Sequence, residues 1–224
     1  MCGIFGSTNF TNYEVLYDLN KQRGNFSYGC LFIQEETGGM YVTKQEGDLD
    51  LKSLDIGIDD HYDIFLGHTQ APTSSERDFK PQTSHPFECG NWVVAHNGIL
   101  SNFESLRSLH ARDSTCNVDS SIIPILLDRI KTPKIKNPSE IDVISEVLKL
   151  LEGTFGVWIY NKISKRIYLA RSGSTLFAKL DGSGSFSSMS VPRFSELCEN
   201  VIYELSKTGI TQIGTFEGSS PFFV

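Results

Sequence analysis

Long hydrophobic runs are missing from this sequence. The longest apolar stretches, such as residues 122–127 and 155–160, fall far short of the roughly 18 residues that a membrane-spanning helix needs, so nothing in it reads as crossing a bilayer. A basic excess is missing as well. Twenty Lys and Arg stand against 27 Asp and Glu, a formal charge of -7, with no block of like charge, which argues against direct binding of nucleic acid. Cysteine is sparse: the five, at positions 2, 30, 89, 116 and 198, form no CxxC pair, and no basic segment followed by an apolar stretch opens the chain. The expectation is a cytoplasmic protein with reduced thiols. Repeats, low-complexity tracts and proline-rich linkers are absent too, so a domain boundary has no obvious place to fall and residues 1–224 are expected to form one domain.

What is present is an ordered series of strand and helix patterns. Gly3 to Thr8 reads as a short strand, and Thr11 with Glu14 three residues later makes a capping box for a helix to about Lys21. Ser27 to Gln34 and Met40 to Gln45 read as strands around the Gly38-Gly39 turn, and strand character returns at Tyr62 to His68 and Asn91 to His96. Helices are expected at Asn102 to His110, at Val118 to Ile130 and from a start marked by Asn137, Pro138 and Glu140. In the last of these, Ile141, Ile144, Val147, Leu148 and Leu151 form one apolar stripe suited to core packing. Strand patterns follow at Phe155 to Tyr160, Arg166 to Ala170, Leu176 to Leu180 and Ser185 to Ser188, then a helix from about Arg193 to Ser206 and a strand near Ile210 to Thr215. Strands, helices and strands again describe stacked sheets covered by helices, an α+β arrangement, and argue against alternating βαβ units.

The most chemistry lies in the opening Met1-Cys2-Gly3-Ile4-Phe5-Gly6. Cysteine is small enough to permit removal of Met1, which would leave Cys2 with a free α-amine beside its thiol. Their reference pKa values, about 7.7–8.0 for the amine and about 8.5 for the thiol, let the amine serve as base to the nucleophile on the same residue. From position alone Cys2 is equally a small buried residue.

Five further segments follow in order: Arg23-Gly24-Asn25-Phe26-Ser27-Tyr28-Gly29, Gly67-His68-Thr69-Gln70-Ala71-Pro72-Thr73, His85-Pro86, His96-Asn97-Gly98-Ile99, and Asp119 ahead of an apolar helix. With the opening segment they resemble, over nearly the whole chain, the class II glutamine amidotransferases, whose glutaminase domain is an N-terminal-nucleophile hydrolase. The resemblance implies a four-layer α/β/β/α sandwich. It implies that Cys2 is the nucleophile and that Asn97 and Gly98 supply oxyanion donors, one from a side-chain amide and one from a backbone N–H. It makes Arg23 the residue that holds the loop around the nucleophile, Asp119 the partner of the substrate's α-ammonium, and Gln70 and Thr73 part of the substrate-binding segment. Each has a plainer alternative: Asn97-Gly98 as a hairpin turn, Arg23 as a surface charge, Asp119 as a helix cap.

Gln70 departs from the family, which carries Arg there to pair with the α-carboxylate. A neutral amide donates but supplies no charge, and Arg77 and Lys80 are the nearest cations in sequence. No cofactor and no metal are expected, since His68, His85, His96 and Cys89 fit no zinc spacing. Cys30, Cys89, Cys116 and Cys198 are expected to pack. The activity implied is hydrolysis of glutamine to glutamate and ammonia. Because the chain ends at Val224, the expectation is a stand-alone glutaminase whose ammonia goes to a separate synthase or acceptor protein. An amidohydrolase acting on a γ-glutamyl or other amide, and a catalytically silent binding domain, remain open beside it.

Overall fold

The computed structural model of the chain describes residues 2–51, 54, 61–71, 79–130, 136–180, 182 and 184–218. In chain order the first half holds β1 (Gly3–Ser7), α1 (Phe10–Asn20), β2 (Ser27–Ile33), β3 (Met40–Glu46), β4 (Ile64–Gln70), β5 (Phe87–Cys89), β6 (Trp92–Leu100) and α2 (Phe103–His110). The second half holds α3 (Ile122–Arg129), α4 (Glu140–Leu150), β7 (Gly153–Asn161), β8 (Arg166–Ser172), β9 (Phe177–Lys179), β10 (Ser185–Ser187), β11 (Ser195–Glu196), β12 (Val201–Ser206) and β13 (Gly209–Thr215).

Two antiparallel sheets result, ordered β11-β9-β10-β1-β4-β2-β3 and β13-β12-β8-β7-β6-β5. Because successive side chains on a strand point to opposite faces, each strand feeds two layers. Ile4, Leu31 and Leu66 of the first sheet meet Val93, Ala95 and Trp158 of the second. Their neighbours Phe5, Phe32 and Phe65 face the other way, onto Tyr13, Leu16 and Tyr17 of α1. On the far side Val94, Val157 and Ile159 pack beneath Phe103, Ile123, Leu126 and Ile144 of α2, α3 and α4. Three buried layers thus separate four tiers, the α/β/β/α sandwich that the resemblance implies. Inside the middle layer Trp158 donates its indole N–H to the Gly67 carbonyl at 3.2 Å, a polar tie from one sheet to the other. Among the described residues no helix is long and apolar enough to cross a membrane.

The segment from Arg193 to Ser206 differs from its expected helix: it forms β11 and β12. Val201, Tyr203 and Leu205 face the other sheet while Ile202 faces the helices. A strand buried on both faces shows an apolar run instead of alternation, and that pattern resembles a buried helix until its neighbours are known. β12 pairs with β8, where Arg166 reaches Glu204 at 2.6 Å. Strand β6 also runs past its expected end at His96. Asn97 and Gly98 pair with Gly156 and Phe155 of β7 in mid-strand, which removes the hairpin-turn alternative. The helix expected from Val118 opens as a 3-10 turn, Asp119–Ser121, before α3.

Two caps shift as well. Ser139, not the preceding Asn137, caps α4 in a reciprocal box with Asp142. Helix α1 is capped by Asn9, whose side chain accepts from the Asn12 N–H at 3.0 Å, and Thr11 lies exposed inside the first turn. Asn9→Ala is therefore expected to lower unfolding free energy by about 1 kcal/mol in urea titrations, with Thr11→Ala changing it by less than about 0.5 kcal/mol. The opposite order would return the cap to Thr11.

Candidate active site

Cys2 leads into β1 and is buried. It shares the face of Ile4, which points into the layer between the sheets. Since Gly3 pairs with Thr69 on β4, position 2 falls opposite Gln70, and Gln70 in turn pairs with Ser27 on β2. The opening of β1 is clamped from its other side by Ser188: the Ile4 N–H donates to Ser188 Oγ at 3.1 Å, and the Ser188 N–H to the Ile4 carbonyl at 2.8 Å. Arg23 Nη1 donates to the Ser188 carbonyl at 3.2 Å. Burial pushes the Arg23 guanidinium down from its ordinary value, and the neighbouring Cys2 charge opposes that shift. Arg23 thus braces the strand that holds Cys2 and is half-buried against it. The surface-charge alternative does not describe it.

The motif glycines mark where these segments touch. A Cβ on Gly29 would stand 1.7 Å from the His85 carbonyl, and one on Gly24 2.5 Å from Ala71. The Arg-Gly segment is therefore packed directly on the two loops that follow it in the motif series.

A cleft of about 860 Å³ brings together Cys2, Gly98 and Asp119, with His85, His96 and Ser120 beside them. Gly98 has a φ of 152°, and a Cβ there would stand 1.9 Å from the Thr154 carbonyl, so only glycine brings this N–H so close to β7. Asn97 is 5% exposed, on the same strand face as Val93 and Ala95 and hence in the inter-sheet layer that Cys2 enters; it adjoins the cleft through Gly98. Asp119 is held at both oxygens. Oδ2 accepts from the Leu100 N–H at 3.0 Å, and Oδ1 from the Ser120 N–H at 2.8 Å. Asp119 and Glu104 are the acidic side chains among the described lining residues, and no Lys or Arg is among them.

Gln70 is fully buried, with its Oε1 accepting from Ser27 Oγ at 2.9 Å, and Ser84 Oγ lies 3.1 Å from Ser27 Oγ. It is placed next to Cys2 by register yet is not among the residues lining the cleft. Thr73 and Arg77 lie outside the described residues, and Lys80 is exposed at the start of the 3-10 turn Pro81–Thr83. His68 and His85 stack with ring centroids 3.7 Å apart. Among the described residues no group of three His, Cys, Asp or Glu side chains is arranged to hold a metal ion. Sequence patterns gave no sign of Ser188, Ser120 or Thr154, because each acts on a partner far along the chain.

No protein-family profile matches the chain. The glutamine–fructose-6-phosphate aminotransferase [isomerizing] of Staphylococcus epidermidis (strain RP62A) is 26% identical over 184 residues, which cover 79% of this chain and 30% of that one. Among solved structures, the Bacillus subtilis glutamine phosphoribosylpyrophosphate amidotransferase aligns over 95% of this chain and 49% of its own, with a TM-score of 0.70 at 17% identity. A glutamine aminotransferase class-II domain protein from Silicibacter pomeroyi aligns over 96% of this chain and all of its own, with a TM-score of 0.58 at 11% identity. The structural matches carry the fold; the curated relative adds kinship in sequence. In sequence and in fold the chain is similar to class II glutamine amidotransferase domains. It spans about a third of the length of the curated relatives it matches.

The other four cysteines differ sharply. Cys30 is buried beneath the Tyr13 hydroxyl, Cys89 and Cys116 are half-buried, and Cys198 is exposed, contrary to the expectation that all four pack. Burial pushes the Cys30 thiol up to about 12, against a smaller lowering by Tyr13. Thiolate is scarce at Cys30 well above neutral pH, so iodoacetamide at pH 8 is expected to label Cys198 readily and Cys30 only after denaturation, as read by peptide mass mapping. Prompt labelling of Cys30 in the folded domain would contradict its placement.

Proposed function

We propose that this amidotransferase domain, acting as a single domain, hydrolyses glutamine to glutamate and ammonia. The observation that carries the proposal is one cleft shared by Cys2, Gly98 and Asp119. With Met1 removed, the α-amine of Cys2 takes the thiol proton and the sulfur attacks the side-chain amide carbon. The carbonyl oxygen becomes an oxyanion facing the Asn97 amide and the Gly98 N–H. The protonated α-amine then gives its proton to the departing nitrogen, and ammonia leaves with a γ-glutamyl thioester on Cys2. Water, deprotonated by the same amine, attacks the thioester and frees glutamate and the thiol. Asp119 takes the α-ammonium, with both oxygens already oriented by backbone N–H groups. No cofactor enters this sequence. The ammonia passes to a synthase on a separate acceptor protein in the cytoplasm, and neither nucleic acid nor a membrane is a partner.

Cys2→Ser is expected to abolish ammonia release from glutamine, and Asn97→Ala to lower turnover by roughly 10²–10³ with little change in melting temperature. Unchanged ammonia release by Cys2→Ser would remove the scheme.

Gln70 favours a second substrate class. Buried, neutral and engaged by Ser27, it brings no positive charge to the α-carboxylate, and a γ-glutamyl amide whose carboxylate is not a recognition element would fit the cleft equally. If free glutamine is the substrate, Gln70→Arg should lower its KM about tenfold, or about 1.4 kcal/mol. Glutamine kinetics that do not respond, together with much faster hydrolysis of a γ-glutamyl amide, would transfer the proposal to that class.

A further inference from the structure

Strand β6 is tied to the 3-10 turn Asp119–Ser121 at two points. At one end the Leu100 N–H meets Asp119 Oδ2 at 3.0 Å. At the other, His96 Nδ1 lies 2.8 Å from Ser120 Oγ, and the Ser120 N–H holds Asp119 Oδ1. The two ties bracket Asn97, Gly98 and Ile99, so they set the span between the oxyanion donors and the Asp119 carboxylate.

The protonation pattern of the ring follows from its neighbours. His96 Nε2 faces the Thr154 carbonyl at 3.3 Å, an oxygen that only accepts, so the neutral imidazole keeps its proton on Nε2 and offers Nδ1 as an acceptor. The Ser120 hydroxyl lies between two acceptors, His96 Nδ1 at 2.8 Å and Asp119 Oδ1 at 3.2 Å, and so links the ring to the carboxylate. His96 and Ser120 are 1% and 3% exposed, so water is a poor replacement for either partner. The same Thr154 carbonyl is the one pressed against Gly98. A single ring therefore contacts the supports of both ends of the site.

We infer that His96 is a positioning residue for the substrate's α-ammonium: through Ser120 it holds the Asp119 turn at a fixed distance from Asn97 and Gly98. This rests on the glutaminase proposal above. It is separable from Cys2 chemistry, because a looser Asp119 weakens binding of an ammonium-bearing ligand while leaving the nucleophile in place.

The test uses two electrophiles on the purified chain, with labelling of Cys2 followed by mass spectrometry: the diazoketone analogue of glutamine, which carries the α-ammonium, and iodoacetamide, which does not. His96→Ala and Ser120→Ala are each expected to raise the half-saturating concentration of the diazoketone about tenfold while its limiting rate stays within about twofold. Iodoacetamide should label Cys2 at the unaltered rate. Combining the two substitutions should cost no more than either alone, since both break one tie. His96→Asn, whose Oδ1 can accept the Ser120 hydroxyl, should recover most of the affinity. Should His96→Ala fail to fold, Ser120→Ala, which removes one oxygen, carries the same readout. Unchanged half-saturation in Ser120→Ala and His96→Ala, with the unaltered chain labelled normally, overturns the assignment of His96 alone. No diazoketone adduct on the unaltered chain overturns the glutaminase proposal and this inference with it.

Discussion

The register of β1 between β4 and β10 is the constraint on which the site depends. Side chains on a strand alternate, so a slip of one residue would turn Cys2 and Ile4 toward α1 and bring Gly3 and Phe5 into the inter-sheet layer. Two ladders and a clamp oppose that slip. Gly3 to Ser7 pair in unbroken order with Thr69 to Phe65, Phe5 to Ser7 pair with Ser187 to Ser185, and Ser188 bonds Ile4 through both its backbone and its hydroxyl. The packing enforces the same register. Gly67 of β4 lies so close beneath the Phe5 ring that a Cβ there would stand 2.3 Å from it, and a slip of one residue would put the side chain of Leu66 or His68 opposite Phe5 instead.

From that register the rest of the site follows in order. Gln70 and Ser27 extend the row that Cys2 begins, which places Gln70 directly beside Cys2. The second sheet brings β6 across the same layer, and the 3-10 turn before α3 closes the cleft with Asp119. Each end of the site is supported from a different sheet or helix layer. The geometry is therefore a property of the four-layer stack, and no single loop supplies it.

The parts legible in sequence were those encoded locally. The six segments named the fold, and three of them carry the residues Cys2, Gly98 and Asp119 that line one cleft. Glycines that read only as motif letters prove to be contact points, Gly29 against His85 and Gly24 against Ala71. What escaped depended on distant partners. Ser188 acts on a residue 184 positions away, and Ser120 bonds a histidine on a strand before α2. The β12 segment reads as helical until β8 and β13 flank it, because burial on both faces erases the period-two signal. The caps Asn9 and Ser139 each lie two positions from the expected Thr11 and Asn137, within the reach of competing Asn, Ser and Thr side chains at a helix start.

The central claim is that Cys2 carries both nucleophile and base on one residue, and it requires a free α-amine at that position. Intact-mass measurement of the purified chain tests it most directly. The account predicts a mass lower than that of the full sequence by one methionine residue, with Cys2 first in the N-terminal fragment. A chain that hydrolyses glutamine while retaining Met1 would contradict it, because the amide nitrogen of a blocked Cys2 cannot accept the thiol proton.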